Sequence, residues 1–150
     1  MGIRRFNLRR DLNIVLQFQH ETYERNFPGF KVNQEFIDDF AGQLRSAGRS
    51  PAERLWVLEI DGEVRGFVWA ALITSMVDEF LGYIKNVYVT PQARGRGYAQ
   101  QLLETAEAWF RSEGVPKAAL DASTCNKQAL KLYTKAGYRT NRLRMEKPLK

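Results

Sequence analysis

Histidine and cysteine occur once each in this sequence, as His20 and Cys125. A lone cysteine forms no internal disulfide, and with one histidine beside it no structural metal site can be assembled from Cys and His. Ser-His-Asp or Cys-His catalysis is disfavoured too, because His20 would have to be the base while sitting in an N-terminal helical pattern. Long apolar runs are also lacking. The longest, Phe67 to Ile73, gives way to Thr74 and Ser75, far short of the roughly 20 residues of a membrane-spanning helix. The N-terminus has the basic charge of a secretory signal without the apolar run that must follow it. Gly2 opens no myristoylation signal, since Phe6 stands where Ser or Thr is required. No membrane association and a cytoplasmic location are therefore expected.

What is present suits an ordinary globular domain. The 150 residues, 44% hydrophobic, are enough to bury one continuous core, so a single domain over residues 1–150 is expected. Aromatic content of 12% and charged content of 27% argue against disorder and fibrous repeats. The 23 Lys and Arg against 17 Asp and Glu leave a net charge of +6, which favours an anionic partner such as a phosphate-bearing cofactor or nucleic acid. The basic clusters, Arg4, Arg5, Arg9 and Arg10, then Arg139, Arg142, Arg144 and Lys147, read as solvated faces. No aromatic-basic motif accompanies them, which argues against nucleic acid.

Along the chain, Ile3 to Phe6 reads as a short strand and Asp11 to Arg25 as a helix, with Leu12, Val15, Leu16 and Phe18 at helical spacing. Pro28 and Gly29 interrupt, and Asn33 caps a second helix through Phe36, Ile37, Phe40 and Leu44 that ends at Gly48 to Pro51. Leu55 to Ile60 and Val64 to Ala71 are strands joined by Asp61-Gly62-Glu63, a sequence suited to a tight antiparallel hairpin. A third strand runs from Phe80 to Val89. Beyond Pro91 a helix carries Ala99, Leu102, Leu103, Ala106, Trp109 and Phe110 on one face, stopped by Gly114 and Pro116. Ala118 to Ala122 is a buried strand, Asn126 to Ala136 a helix closed by Gly137, and Tyr138 to Lys147 terminal strand structure. This order predicts an α+β fold, a mixed and mostly antiparallel sheet with helices on both faces.

The most informative stretch is Val87-Tyr88-Val89-Thr90-Pro91-Gln92-Ala93-Arg94-Gly95-Arg96-Gly97-Tyr98-Ala99, a strand passing through glycines into a long helix. A helix start exposes unpaired N–H groups and partial positive charge, and glycine lets the backbone approach phosphate oxygens. Arg94 and Arg96 add charge. Gly95 and Gly97 could equally serve a sharp turn alone. A dinucleotide fingerprint fits less well, since its third glycine would fall at Gln100 and antiparallel hairpins precede it. Arg94-Gly95-Arg96-Gly97-Tyr98-Ala99 resembles the central motif of the GNAT superfamily of N-acetyltransferases: Gln or Arg, two residues, Gly, one residue, then Gly or Ala. The resemblance implies that backbone amides from Arg94 through Gly95, Arg96, Gly97 and Tyr98 to Ala99 hold the diphosphate of acetyl-CoA. It likewise implies that Val87, Tyr88 and Val89 run beside its pantetheine arm.

A second stretch, Asn126-Lys127-Gln128-Ala129-Leu130-Lys131-Leu132-Tyr133-Thr134-Lys135-Ala136-Gly137-Tyr138, is similar to the family's later pattern of Asn, Ala, Tyr, Gly and an aromatic. By that resemblance Asn126 contacts the cofactor and Tyr133 lies near its sulfur. Amine attack on a thioester makes an oxyanion, and its collapse expels a thiolate that benefits from a proton donor. A tyrosine with a pKa of about 10 is neutral at physiological pH and can supply that proton. The amine, with a pKa of about 10.4 when lysine-like, must first lose its own. Many relatives place a carboxylate on the strand before the glycines, where this chain reads Gly82-Tyr83-Ile84-Lys85-Asn86-Val87. Glu79 is the first candidate for the base and Glu21 the second. Cys125 reads as structural.

The function implied is acetyl transfer from acetyl-CoA to a primary amine by direct attack in a ternary complex, with no metal. The acceptor is a small molecule, a peptide N-terminus or a lysine, against an apolar wall around Tyr23, Phe27, Phe30 and Phe36. A non-catalytic acyl-CoA sensor is the alternative. The short stretch after Tyr138 leaves the acceptor side open or built by a partner chain, which allows a homodimer.

Overall fold

The computed structural model describes residues 1–77 and 80–150. The chain runs β1 (Gly2–Arg5), α1 (Leu8–Asn26), α2 (Gln34–Ala47), β2 (Glu53–Ile60), β3 (Glu63–Ile73), β4 (Leu81–Val89), a 3-10 turn (Pro91–Ala93), α3 (Tyr98–Ser112), β5 (Ala118–Leu120) and α4 (Lys127–Lys135). Three helices start at asparagine. Asn7, Asn33 and Asn126 each accept a hydrogen bond from the N–H three residues on, at Arg10, Phe36 and Ala129. Such a cap satisfies one of the orphan donors of a helix start. It is why α1 begins at Leu8, three residues ahead of the expectation from apolar spacing. In the β2–β3 hairpin Asp61 and Gly62 both take positive φ, 51° and 80°, the turn whose twist matches paired strands.

Among the described residues one sheet forms in the order β1-β2-β3-β4-β5, antiparallel throughout except that β5 lies parallel to β4. The architecture is thus the expected α+β sheet with helices on both faces. Leu58, Val68, Ala70 and Ile84 pack against Leu102, Leu103, Ala106 and Phe110 of α3. On the opposite face Leu55, Val57, Phe67 and Trp69 pack against Val15 and Phe18 of α1 and Phe40 and Leu44 of α2. Successive strand residues point to opposite faces, so two buried faces produce the unbroken apolar run from Phe67 to Leu72. Leu102 is fully buried, and truncating such a leucine to alanine typically costs about 2–5 kcal/mol. Gly82 seats α3: a Cβ there would lie 2.5 Å from Phe110 Cγ, so the bare backbone lets the Phe110 ring rest on β4.

Arg4 is not merely solvated. Its guanidinium reaches Asp11 of α1 at 2.9 Å and Glu59 of β2 at 3.1 Å, tying β1, α1 and β2 together.

Two expectations fail. The strand after α3 stops at Leu120 instead of Ala122, and no strand forms from Tyr138 to Lys147. Every residue from Arg139 to Lys150 is exposed. A strand is stable only when paired and laid on an apolar face. β5 pairs over three residues only, and a tail carrying Arg139, Arg142, Arg144 and Lys147 has little to bury.

Candidate active site

The site begins with a bulge in β4. Trp69 pairs with Asn86 and Ala70 with Ile84, leaving Lys85 as the extra residue. One inserted residue reverses which backbone groups face which neighbour. Below the bulge, Gly82 donates its N–H to Lys117 beside β5; above it, Thr90 donates to Arg65 beside β3. In an antiparallel ladder only alternate residues bond to the partner. Asn86 and Tyr88 therefore face β3, and the amide groups of Val87 and Val89 face the other way. Among the described residues no strand waits there, since β5 pairs only with Gly82, Tyr83 and Ile84. β4 and β5 pair no further than Ile84 and Leu120, and the gap beyond that last pair is a cleft edged by the N–H groups of Val87 and Val89.

At one end of the cleft stands the glycine turn. Gly95 and Gly97 have φ of 80° and 82°, a region that L side chains rarely adopt. Around both, a Cβ would meet nothing within 4 Å, so the glycines serve backbone shape and leave open space before it. α3 is the exception to the asparagine rule: its cap is Gly97, with no side-chain hydrogen bond and no acidic residue in the first turn. The first helical bond runs from Gln101 to Gly97, so the N–H groups of Tyr98, Ala99 and Gln100 have no acceptor within the helix. With the helix dipole, three such donors suit an anion.

The two arginines part. Arg96 is exposed. Arg94 turns back: its Nε donates to the Val89 carbonyl at 2.8 Å, its guanidinium pairs with Glu21 at 2.8 Å, and it lies 5.4 Å from the centre of the Tyr88 ring. Tyr88 points to the α1 side, stacked on Phe18 with ring centres 4.6 Å apart, and donates its hydroxyl hydrogen to Glu21 at 2.6 Å. Burial pushes the Glu21 carboxyl up, but the hydrogen bonds from Tyr88 and Arg94 and the charges of Arg94 and Arg25 outweigh it and hold it below the usual range. A carboxylate so satisfied is a poor base, which weighs against Glu21 in that role. Glu79 lies outside the described residues.

The other lip carries the second motif. Tyr133 of α4 packs on the same core as Val87, Tyr98 and Ala99, so side chains from both motifs share one apolar floor. Its ring meets Tyr138 edge-on at 6.3 Å. Burial pushes the Tyr133 hydroxyl up to about 12, keeping it a protonated donor, and among the described residues it has no hydrogen-bond partner. Asn126 is occupied: its Oδ1 caps α4 by accepting from Ala129 at 3.2 Å, and its Nδ2 donates to Asn26 of α1 at 3.0 Å.

Sequence reading missed one pair. Tyr83, on β4 ahead of the bulge, donates its hydroxyl to Asp121 just beyond β5. Burial and the neighbouring carboxylate raise the Tyr83 pKa. Asp121 is exposed and stands where β4 and β5 begin to separate. Its only signal was a lone charge closing an apolar stretch. Nearby, Asn86 is buried and donates to the buried Gln19 at 3.1 Å.

The four aromatics of the α1–α2 region meet one another. Tyr23 stacks on Phe27 at 5.7 Å and meets Phe36 edge-on at 4.8 Å, while Phe30 meets Phe36 at 5.4 Å. Phe27 remains 55% exposed, so the ladder opens to solvent at the α1–α2 loop. Cys125 is exposed, 2.9 Å from Ser123 Oγ. Among the described residues no group of metal-ligating side chains assembles, and no helix is long and apolar enough to cross a membrane.

Known proteins share this fold. Over its full length the fold matches the BH1408 protein of Bacillus halodurans with a TM-score of 0.83 at 20% identity, covering 99% of this chain and 100% of that one. A predicted acetyltransferase of Clostridium acetobutylicum, solved with acetyl-CoA, matches with a TM-score of 0.79 at 18% identity, covering 98% and 95%. The aminoglycoside N-acetyltransferase AAC(6')-Iy, solved with CoA, matches at 0.76 and 20% identity, covering 98% and 93%. In sequence, YjgM of Escherichia coli K12, described as an N-acetyltransferase, is 30% identical over 110 residues, which is 73% of this chain and 63% of that protein. A mycothiol acetyltransferase of Streptomyces griseus is 30% identical over 86 residues, 57% of this chain and 27% of its own length. The match thus spans under two thirds of either relative. The family model for the acetyltransferase (GNAT) family covers residues 15–138, taking in the bulged strand, the glycine turn and the Tyr133 helix, and this chain belongs to that family.

Proposed function

We propose that this chain is an N-acetyltransferase that moves the acetyl group of acetyl-CoA to a primary amine by direct attack in a ternary complex. The observation that carries the reading is the convergence of free backbone donors along one cleft: Val87 and Val89 on its strand edge, and Tyr98, Ala99 and Gln100 at the uncapped start of α3. A diphosphate accepts from the helix start and the Gly95 to Gly97 turn. The pantetheine arm, which is amide-bearing and extended, pairs with the strand edge as an added strand would. Asn126 contributes by holding α4 beside the cleft.

At the thioester, an unpaired N–H of Val87 or Val89 polarises the carbonyl and stabilises the oxyanion formed by amine attack. Tyr133 then protonates the departing thiolate. The ammonium form of the acceptor gives its proton to a carboxylate, and two are proposed: Glu79, from its place before β4, and Asp121, from its place at the mouth of the cleft. The aromatic ladder from Tyr23 to Phe30 forms the acceptor wall.

Calorimetric titration with acetyl-CoA, with NADH at equal concentration as control, tests the cofactor. Selective binding followed by turnover in an amine panel supports the reading. Binding without turnover indicates an acyl-CoA sensor instead, and no binding removes the site.

A further inference from the structure

The last two turns of α1 touch both lips of the cleft. On the β4 lip, Glu21 takes the Tyr88 hydroxyl at 2.6 Å and the Arg94 guanidinium at 2.8 Å. On the α4 lip, Asn26 Oδ1 accepts from Asn126 Nδ2 at 3.0 Å, Arg25 donates to Gln128 Oε1 at 2.9 Å, and the Cys125 thiol lies 3.6 Å from the Arg25 carbonyl. These contacts join segments that the sheet does not hold together, because β4 and β5 are paired only as far as Ile84 and Leu120. Asn26 is fastened in its own right, its Nδ2 donating to Thr22 at 2.7 Å.

The residues at the two ends are those that the cleft depends on. Arg94 opens the glycine turn, and its side chain, held by Glu21 and the Val89 carbonyl, fixes that turn to the end of β4 rather than reaching outward as a phosphate ligand. Asn126 caps α4, the helix that carries Tyr133.

We infer that Glu21 and Asn26 are positioning residues, and that α1 acts as a strap across the cleft which sets the distance between the diphosphate turn and the Tyr133 helix. The strap rests on the reading of the cleft as the acetyl-CoA site, and it assigns Arg94 to holding that site's shape. Because Tyr23 and Phe27 of the acceptor wall lie on or just after the same helix, the gap and the wall move as one body.

A bridge is severed as fully by losing one end as by losing both, and this separates a strap from two unrelated local contacts. Glu21→Gln loosens the β4 end, and Arg25→Ala together with Asn26→Ala removes both side-chain contacts of the α4 end; each should weaken acetyl-CoA binding by about tenfold, within the ordinary range of coupling between sites. The variant carrying all three changes should also show about tenfold, whereas independent contacts would multiply to about a hundredfold. Calorimetry of the full chain reads all four affinities, and hydrogen exchange checks the geometry without ligand. Glu21→Gln should speed exchange in residues 88–99 and the paired Arg25→Ala and Asn26→Ala change in residues 123–129. A hundredfold loss in the triple variant, or unchanged affinity in either one-ended variant, overturns the strap. If the wild-type chain binds no acetyl-CoA, the cofactor site fails instead, and exchange that stays unchanged in both segments overturns the strap on its own.

Discussion

Gly97 and Gly114 stand at the two ends of α3 with φ of 82° and 75°, and a Cβ at either would meet no atom within 4 Å. Alanine at each should therefore cost the same stability for the same reason. Left-handed backbone costs an L residue about 1–2 kcal/mol, offset by about 0.4–1 kcal/mol because alanine restricts the unfolded chain more than glycine. The net is a loss of about 1 kcal/mol, a fall in Tm of about 2–4 °C for a domain of this size. Binding should split the pair. At Gly97 the methyl group and the adjusted backbone disturb the donors of Tyr98, Ala99 and Gln100, and acetyl-CoA affinity should fall at least about tenfold, or about 1.4 kcal/mol. Gly114→Ala should leave affinity unchanged. Calorimetry and thermal melts on the two variants decide it. Equal affinity losses would show that binding follows global stability, and no loss at Gly97 would refute the anion cradle.

Tyr133→Phe should lower kcat with little change in acetyl-CoA affinity, because it removes a proton and almost no packing; unchanged turnover would remove Tyr133 from the acid role. With its pKa pushed up to about 12, Tyr133 is protonated in the fold at pH values where an unfolded tyrosine ionises. That stability is complete below pH 10 and is lost as pH rises toward 12, so melts should be flat to about pH 9 and fall above it. Phenylalanine at 133 should soften that fall, and an unaltered slope would contradict the burial argument. Of Glu79→Gln and Asp121→Asn, one should abolish the acidic limb of the kcat/KM profile, and retention of that limb in both would mean that neither is the base.

Much of the proposed cofactor side was legible in the order of residues because its shape depends on backbone. Glycine where φ must be positive, and the uncapped helix it begins, leave a mark in sequence that needs no distant partner. The proposed acceptor side left less. Glu21 reads as an ordinary helix carboxylate, and only the fold brings Tyr88 and Arg94, both some seventy residues later, onto its two oxygens. Asp121 reads as part of a strand until the parting of β4 and β5 places it beside Tyr83. The tail after Tyr138 shows the converse: its pattern suits a strand, but a strand is decided by what it pairs with.

The sequence by itself determined the order of elements from β1 to α4, the two-faced core, the tight hairpin and the glycine turn, since each follows from local periodicity, caps or backbone freedom. The tertiary structure alone decided the bulge at Lys85, the cleft between β4 and β5, the binding of Arg94 to Glu21 and the span of α1 from one lip to the other. These are matters of register and of contacts between residues far apart in the chain, and no local preference encodes where two such residues meet.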